Sequence, residues 1–425
     1  MRKKEFLTGV VSLSLAMLIV QSTSMGFSVY VSSKLGAEEM GLFHLIMSVF
    51  SFAVTVATSG IPLASTRLIS EEKSVGIRKS ILKKCVVLSL GFSFIASFAL
   101  IFFAPNIAVN LIKIPRAELH IKILGMCLPF IAVSGAVRGY FIGIQKVSMI
   151  TVSKMVDEFS SIFIMLILFK IPAIKFSGAL IPVIAMSSSA VFACICDLLM
   201  YKISTARYKT AAKDFGFSPI LSIALPVGAG SYLRSGLTAT ENLIIPASLS
   251  KYGSSNGLAG YGMVKAMAMP VITFPYVFLQ SFTSLLVPEV SSRKANTGKK
   301  SVYKVALKSL RCTLIFSCTI AIALLLFGRK LALSLYGDLN AGYYITALSL
   351  LAIPMYIDSV TDSLLKGLNE QVYSLKINVV DSILRVPLIY FILPYTGVYG
   401  YIGVLYISEI LNLTMSMRRL KKILA

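Results

Sequence analysis

Uncharged apolar runs as long as a membrane-spanning helix recur along the chain, and they restrict what it can fold into. Residues 85–104, for example, read CVVLSLGFSFIASFALIFFA and carry no charged side chain. A helix needs about 20 largely apolar residues to cross the hydrocarbon layer, where every backbone polar group must be paired. The runs also lack the alternation of membrane β-barrel strands. The sequence therefore predicts an all-α integral membrane protein.

The composition agrees with this fold class. The chain is 56% hydrophobic and 14% charged, with a mean hydropathy of +0.82, whereas an ordinary soluble domain is about 25% charged. Its net charge of +23 is typical of membrane proteins whose basic residues collect in cytoplasmic loops. No nucleic-acid-binding module is recognisable, so we expect no nucleic-acid partner.

Charged residues, glycines and prolines divide the apolar sequence into about 12 predicted transmembrane helices. Their approximate extents are Phe6–Tyr30, Met40–Ser65, Cys85–Ala104, Ile121–Phe141, Ser148–Phe169, Gly178–Met200, Pro219–Ser248, Leu258–Val287, Val305–Phe327, Gly342–Leu365, Leu375–Pro394 and Gly397–Met417.

The basic residues between the predicted helices indicate the orientation. Most of them lie in one alternate set of segments, including the loops around 67–84 and 293–311. Because Lys and Arg are enriched in cytoplasmic loops, this bias places both termini in the cytoplasm. This agrees with an even number of spans, which places both termini on the same side of the membrane.

The two halves of the chain resemble each other. Equivalent positions hold the same residue type or charge: Pro129 and Pro354, Gly143 and Gly367, Asp157 and Asp381, Asp197 and Glu409. Six predicted spans separate the members of each pair, which is the pattern of a parallel repeat. We expect two six-helix lobes, residues 1–206 and 207–425, joined by a basic linker at Ser204–Gly216.

Ionisable residues inside the spans are the candidate functional residues. They are costly at membrane depth and persist mainly when paired or when they face a watery cavity. In the fifth span Lys154 and Glu158 are four residues apart and flank Asp157; in the eleventh span Asp381 and Arg385 have the same spacing. Such pairs can close on one helix face, so structural pairing and substrate contact both remain open. Lys154, Asp157, Lys376, Asp381 and Arg385 are candidate substrate-binding residues.

The tenth span suggests ion coupling. Asp358, Asp362 and Lys366 follow one helix face in steps of four, and two such carboxylates repel unless one holds a proton or a cation. Asp358 and Asp362, together with Glu241 of the seventh span, are candidates for ion or proton coupling. The alternative is a simple ion pair between Asp362 and Lys366.

The seventh span carries the sequence SYLRSGLTATENLIIP, with Arg234, Glu241 and Asn242. Arg234 and Glu241 share a helix face but lie about 10 Å apart along the axis, so each needs another partner or water. We expect these residues to line a central aqueous cavity, with Arg138 of the fourth span facing the same space. Arginine suits a phosphate group because its planar donors bind two oxygens at once.

No catalytic motif is present. The sequence contains no HExxH, no Gly-rich nucleotide loop and no loop long enough for a soluble catalytic domain. We therefore expect no enzyme activity, no metal site and no cofactor, with Na⁺ or H⁺ as candidate coupling ions.

Particular motifs resemble the multidrug/oligosaccharidyl-lipid/polysaccharide (MOP) exporter superfamily. These are SSKLGAEEMGLFHLIMSVFSFAVTVATSGIPLASTRLISE and its counterpart GLAGYGMVKAMAMPVITFPYVFLQSFTSLLVPEVS. Within the superfamily, SGIPLASTRLISE and YLRSGLTATENLIIP are similar to the stage V sporulation protein B and polysaccharide flippase branch. The resemblance covers nearly the whole chain and implies a MATE-like fold with two lobes and alternating access.

The same resemblance implies a flippase of the bacterial cytoplasmic membrane that moves an undecaprenyl-diphosphate-linked sugar or another cell-envelope precursor. The alternative is a cation- or proton-coupled multidrug exporter of the MATE type, with an amphiphilic small molecule as its substrate. We expect a monomer that contacts membrane lipids. Lipid II flippases of the superfamily usually have two further spans and carry arginines in the first spans. This chain has about 12 predicted spans and no arginine in its predicted first span. These two differences count against lipid II specificity.

Overall fold

The computed structural model describes residues 3–170, 178–206, 215–251, 257–296 and 298–424, and every regular element in these ranges is a helix. The α-helices are α1 (Lys3–Thr58), α2 (Ile61–Glu71), α3 (Val75–Phe102), α4 (Ala104–Asn106), α5 (Ala117–Gly143), α6 (Val147–Lys170), α7 (Leu180–Thr205), α8 (Ser218–Lys251), α9 (Gly257–Gly262), α10 (Met269–Thr273), α11 (Tyr276–Asn296), α12 (Lys299–Tyr336), α13 (Leu339–Leu348), α14 (Ala352–Gly367) and α15 (Gln371–Leu424). Short π-helical segments cover Ile107–Leu111 and Met263–Ala268, and a 3₁₀ turn covers Ser349–Leu351.

Two of the longest helices bend at a glycine. The backbone leaves helical geometry at Gly36 in α1 (φ 79°, ψ 171°) and at Gly397 in α15 (φ 63°, ψ −146°). Glycine adopts positive φ without the steric cost that a Cβ would impose. Each bend falls where the sequence predicts one span to end and the next to begin.

Seven helical stretches of the described residues are long and apolar enough to cross a membrane. They are Leu18–Glu71, Val75–Phe102, Ala117–Gly143, Leu180–Thr205, Lys299–Tyr336, Leu339–Gly367 and Gln371–Leu424. The protein is therefore a nearly all-helical, multi-pass membrane protein. The count of 12 spans and the location of the termini remain predictions.

The chain divides into two compact units. Unit 1 comprises Met1–Val20 and Leu42–Ala239, and unit 2 comprises Gln21–Gly41 and Thr240–Ala425. The division falls within α1 and within α8. The lobe boundary at residues 206 and 207 remains a prediction, and residues 207–214 of the expected linker lie outside the described residues.

In unit 1, α5 packs against α2, α3 and α7, while α6 packs against α7. The contact between α5 and α2 is close because glycine stands at the crossing. A Cβ added to Gly139 would lie 2.4 Å from the carbonyl oxygen of Pro62. The Thr66 hydroxyl uses this proximity to donate a hydrogen bond to the Gly139 carbonyl, at 3.1 Å.

In unit 2, α14 packs against α11, α12 and α15. A Cβ added to Gly367 of α14 would lie 2.9 Å from the carbonyl oxygen of Val287 on α11. A Cβ added to Gly143 of α5 would lie equally close, 2.9 Å, to the carbonyl oxygen of Thr66 on α2. These glycines are the pair matched in the sequence, so the two units use the same helix-packing device at equivalent positions.

Candidate functional site

A cavity of about 480 Å³ lies within unit 1, between the end of α1, the start of α2 and the middle of α8. Its lining residues are Ser51, Val54, Thr55, Thr58, Gly60, Pro62, Leu63, Ser231, Arg234, Ser235 and Thr238. Pockets for small ligands usually measure about 300–1,000 Å³. The volume therefore suits a ligand head group of moderate size.

Hydroxyl groups make up most of the polar part of this lining, because their spacing along two helices places them on the faces that line the cavity. Ser51, Thr55 and Thr58 of α1 are spaced i, i+4 and i+7, which places them on one helix face. Ser231, Ser235 and Thr238 of α8 repeat the spacing. The two rows meet where the Thr55 and Ser235 hydroxyl oxygens lie 3.2 Å apart. We call these six residues the hydroxyl rows.

The turn between α1 and α2 forms one end of the cavity. Ser59 and Gly60 both adopt left-handed backbone conformations, with φ of 45° and 69°. Tyr232 of α8 donates a hydrogen bond to the Ser59 hydroxyl at 2.5 Å. A Cβ on Gly60 would lie 2.7 Å from the carbonyl oxygen of Ala224, so glycine permits both the turn and its close contact with α8.

Arg234 supplies the charge of the cavity. It is exposed, and among the residues that line the cavity it alone carries a charged side chain. Within the described part of the chain Arg234 forms no ion pair. The cavity thus combines one guanidinium group with six hydroxyls. The hydroxyls of Thr55, Thr58, Ser231 and Thr238 donate to carbonyl oxygens of their own helices, so they can still accept hydrogen bonds from sugar hydroxyls, while the guanidinium group can donate to phosphate oxygens.

A second predicted arginine, Arg138 of α5, belongs to a partly buried ionic cluster in unit 1. Its Nε lies 3.1 Å from Asp197 Oδ2, and its Nη2 lies 3.4 Å from Asp157 Oδ2. Arg138 Nε also donates to the Ser153 hydroxyl at 2.7 Å. The Ser134 hydroxyl donates to Asp197, and the Ser189 hydroxyl donates to Asp157 at 3.1 Å.

This unit 1 cluster joins α5, α6 and α7 through one guanidinium group. Asp197 is fully buried, so its charge depends on Arg138 for neutralisation. Its Oδ1 atom has no hydrogen-bond partner in the described residues. Asp197 was matched to Glu409 in the sequence, but nothing in the sequence paired it with Arg138.

A corresponding buried cluster in unit 2 centres on Arg385 of α15. Its Nη1 lies 3.2 Å from Glu241 Oε1 on α8, and its Nη2 forms an ion pair with Asp381 one helical turn earlier. The Ser408 hydroxyl donates to Asp381 at 2.5 Å. Glu241 and Asp381 are both buried, which makes Arg385 the counter-ion of two carboxylates.

Further carboxylates surround the unit 2 cluster. Glu409 is half-buried and lies on α15, the helix that carries Asp381 and Arg385. Asp358 is half-buried, and its Oδ1 has no hydrogen-bond partner in the described residues. Asp362 differs, because it pairs with Lys366 at 2.6 Å and accepts a hydrogen bond from Ser374. The simple ion pair considered from the sequence is therefore formed.

The remaining candidate residues predicted from the sequence lie outside the two ionic clusters. Asn242 accepts a hydrogen bond from the Tyr261 hydroxyl at 3.3 Å. Lys154 and Lys376 are exposed, and neither forms an ion pair within the described ranges. The structure thus brings Arg138 together with Asp157, and Glu241 together with Asp381 and Arg385. Arg234 lies among the hydroxyl rows.

Sequence reasoning missed the hydroxyl rows and the serines of both clusters. The rows had a usable signal, because three Ser or Thr residues at i, i+4 and i+7 occur within each of two apolar helices. The cluster serines had none that distinguishes them from serines bonded to their own helix backbone. In the described residues no group of three or more His, Cys, Asp or Glu side chains is arranged to hold a metal ion.

Comparison with known proteins shows which families and relatives the chain is similar to. The sequence profile of the family described as "Polysaccharide biosynthesis protein" matches residues 6–292, and the MatE profile matches residues 233–391. The chain is 22% identical over 416 residues to stage V sporulation protein B of Bacillus subtilis (strain 168), which covers 94% of this chain and 80% of that protein.

Solved structures show the same fold. An inward-facing multidrug resistance MATE transporter of the MOP superfamily superposes with a TM-score of 0.71 at 16% identity, over 97% of this chain and 98% of that chain. A MOP transporter from Pyrococcus furiosus Vc1, described as having a binding pocket of reverse polarity, gives a TM-score of 0.67 at 17% identity over 96% and 93%. The matched families and structures are transporters and not enzymes. The chain belongs to the polysaccharide biosynthesis protein family within the MOP superfamily of membrane transporters.

Proposed function

We propose that this transporter flips a lipid-linked oligosaccharide or a related cell-envelope precursor, carried on undecaprenyl diphosphate, across the bacterial cytoplasmic membrane by alternating access. The observation that carries the proposal is the unit 1 cavity, in which Arg234 stands among the hydroxyl rows. A diphosphate-linked sugar presents an anion next to many hydroxyl groups, and this lining offers complementary partners for both.

The sign of the charge separates this substrate class from the cationic drugs of multidrug exporters. Arg234 repels a cation, and the cavity lining includes no carboxylate to offset that repulsion. Arginine binds phosphate through parallel hydrogen bonds from its planar donors. The apolar lining residues Val54, Pro62 and Leu63 provide a surface against which the less polar face of a sugar ring can pack.

The proposed topology completes this mechanism. It has 12 spans in two six-helix lobes, residues 1–206 and 207–425, with both termini in the cytoplasm and the chain acting as a monomer. Membership of the polysaccharide biosynthesis protein family supports a sugar-bearing substrate. The relationship to stage V sporulation protein B supports a role in the cell envelope of a spore-forming cell.

A flippase assay tests the proposal. The protein is reconstituted into liposomes with a fluorescent undecaprenyl-diphosphate sugar, and movement between leaflets is followed by quenching from outside. Loss of one charge-assisted hydrogen bond costs about 1.5–3 kcal/mol, so Arg234→Ala should reduce transport about 10- to 100-fold. Arg234→Lys should retain part of the activity.

Arg329→Ala provides the matched control, because Arg329 is exposed, stacks on Tyr343 and does not line the cavity. It should transport like the unaltered protein. Normal flipping by Arg234→Ala, or no flipping of any polyprenyl-diphosphate sugar by the unaltered protein, would refute the proposed substrate.

The carboxylates of unit 2 favour a second candidate, a cation- or proton-coupled exporter of amphiphilic molecules. Asp358 has a buried oxygen without a partner in the described residues, Glu241 and Asp381 share the cation Arg385, and Glu409 is half-buried on the same helix as Arg385. Coupling to H⁺ or Na⁺ would use this surplus of carboxylates. Gradient-driven efflux of cationic dyes, abolished by Asp358→Asn, would favour this candidate over the flippase.

A further inference from the structure

Four basic residues form a ladder along the first turns of α12. Lys300, Lys304, Lys308 and Arg311 are spaced i, i+4, i+8 and i+11, so they lie on one helix face. All four are exposed. At 1.5 Å per residue the ladder extends about 16 Å along the helix axis.

The ladder is not neutralised by neighbouring protein groups. The sequence of α12 contains no Asp or Glu. Across the described ranges none of the four ladder residues takes part in an ion pair. The opposite face of the helix, with Val302, Ala306, Ser309 and Thr313, is buried. The charges of the ladder therefore point away from the packed core of unit 2.

The same face of α12 becomes apolar further along the helix. Ile315, Ile322 and Leu326 follow the ladder at helical spacing and are 69%, 56% and 69% exposed. In a membrane-spanning helix such a face contacts lipid chains. The ladder must therefore lie where this lipid-facing surface reaches the head groups. Tyr303, which is 52% exposed, has the amphipathic ring typical of that depth.

On the corresponding helix of unit 1, two basic residues contact other protein groups. On α3, Arg78 donates to the carbonyl oxygen of Glu72 at 2.6 Å, and the Lys84 ammonium group lies 4.9 Å from the ring centre of Phe217. Both side chains are half-buried. These two basic residues of α3 therefore differ from the ladder of α12, whose four side chains are exposed.

We infer that the α12 ladder is a binding surface for the head groups of anionic phospholipids, in the leaflet predicted to face the cytoplasm. Each rung can donate hydrogen bonds to phosphate oxygens, and the apolar face beyond it accommodates the acyl chains of the same lipids. The surface belongs to unit 2 and shares no residue with the unit 1 cavity, and it recognises bilayer lipid and not the transported substrate.

Native mass spectrometry of the delipidated full-length protein tests this surface. The protein is titrated with phosphatidylglycerol or phosphatidylcholine of identical acyl chains. The unaltered protein should prefer phosphatidylglycerol, and the variant K300Q/K304Q/K308Q/R311Q should bind it at least about tenfold more weakly, since each basic residue near an anionic surface contributes about fivefold. The control K146Q/R418Q/K421Q/K422Q removes the same charge from exposed positions elsewhere and should keep the preference.

Equal phosphatidylglycerol binding by the ladder variant and the control variant would overturn the inference. A second measurement leaves the ladder intact and so avoids any folding defect. A benzophenone side chain at Leu307, beside the ladder, should capture phosphatidylglycerol over phosphatidylcholine from mixed nanodiscs. The same probe at Ile322, deeper on that face, should capture both lipids equally. Equal capture at position 307 would also overturn the inference.

Discussion

Arg385 donates hydrogen bonds from one guanidinium nitrogen to both carboxylate oxygens of Glu241, at 3.2 and 3.3 Å. The side chain of Glu241 is only 4% exposed, so this contact replaces water that the carboxylate would otherwise hold. A second nitrogen of Arg385 binds Asp381. One arginine therefore connects α8 to α15 and neutralises two buried carboxylates of unit 2.

Removing Arg385 should destabilise the protein strongly. Arg385→Ala leaves Glu241 and Asp381 buried without their counter-ion, a change that typically costs about 3–5 kcal/mol. The chain contains no Trp, so thermal unfolding is best followed in detergent through the helical circular dichroism signal. Arg418→Ala, at an exposed position, should unfold at the temperature of the unaltered protein. Identical unfolding temperatures for the two variants would contradict a stabilising role of Arg385.

Arg138 should be equally sensitive to substitution but should tolerate lysine in part. Arg138→Ala removes the counter-ion of the fully buried Asp197, and we expect a loss of about 3–5 kcal/mol. Arg138→Lys keeps the charge but cannot reproduce the fork that reaches Asp157, Asp197 and Ser153 together, so its loss should be intermediate. Lys154→Ala, at an exposed side chain, should change stability by less than about 0.5 kcal/mol. The prediction fails if Arg138→Ala and Lys154→Ala unfold alike.

Packing at the α2–α5 crossing should not tolerate a methyl group. Gly139→Ala places a Cβ 2.4 Å from the backbone oxygen of Pro62, so the helices must move apart at a cost of about 1–3 kcal/mol. Gly91→Ala on α3 meets no atom within 4 Å and should be neutral or stabilising by about 0.5–1 kcal/mol, the usual helix preference for alanine. Thermal unfolding of the two variants gives the comparison, and an equal effect of both would show that the crossing is more compliant than its geometry indicates.

The hydroxyl rows and Arg234 should recognise different parts of the proposed substrate. The double variant T55V/S235A removes two hydroxyls with little change of shape, and each lost hydrogen bond is worth about 0.5–1.5 kcal/mol. Affinity for a polyprenyl-diphosphate sugar should fall, while affinity for the sugar-free diphosphate should stay unchanged. Arg234→Ala should weaken both ligands.

Titration of detergent-solubilised protein with the two lipids measures this distinction. Thr319→Val, an exposed hydroxyl on α12 outside the cavity, serves as the control and should bind both lipids normally. Equal weakening of both ligands by T55V/S235A would show that these hydroxyls do not read the sugar.

The sequence predicted an all-α membrane fold because each apolar run is a local feature. It also predicted the Asp381–Arg385 pair, since a spacing of four fixes both side chains on one helix face. At the identical spacing in the fifth span, the Lys154 side chain is exposed. The spacing along a helix shows which side chains can come into contact. Whether two charged side chains need to pair depends on whether they are buried.

The long-range partners lay beyond sequence reasoning for the same physical reason. Glu241 was expected to need a partner on another helix or water, but several spans offered a cation at membrane depth. Only the packing of α8 and α15 within unit 2 selects Arg385. Arg234, Glu241, Asn242 and Arg138 were expected to face one central cavity, but of these four only Arg234 lines the unit 1 cavity. Its hydroxyl rows were overlooked because isolated serines and threonines in apolar helices usually bond their own backbone.

The separation of Glu241 and Arg385 by 144 residues has a consequence for biogenesis. Ribosomes add about 5–20 residues per second, so Glu241 is synthesised roughly 7–30 seconds before its counter-ion. During that interval the nascent α8 carries an unmatched carboxylate, which disfavours its release into lipid. We therefore expect α8 to stay in the translocon or beside an insertase until α15 has been translated, so that these helices enter the membrane as a group and not one by one.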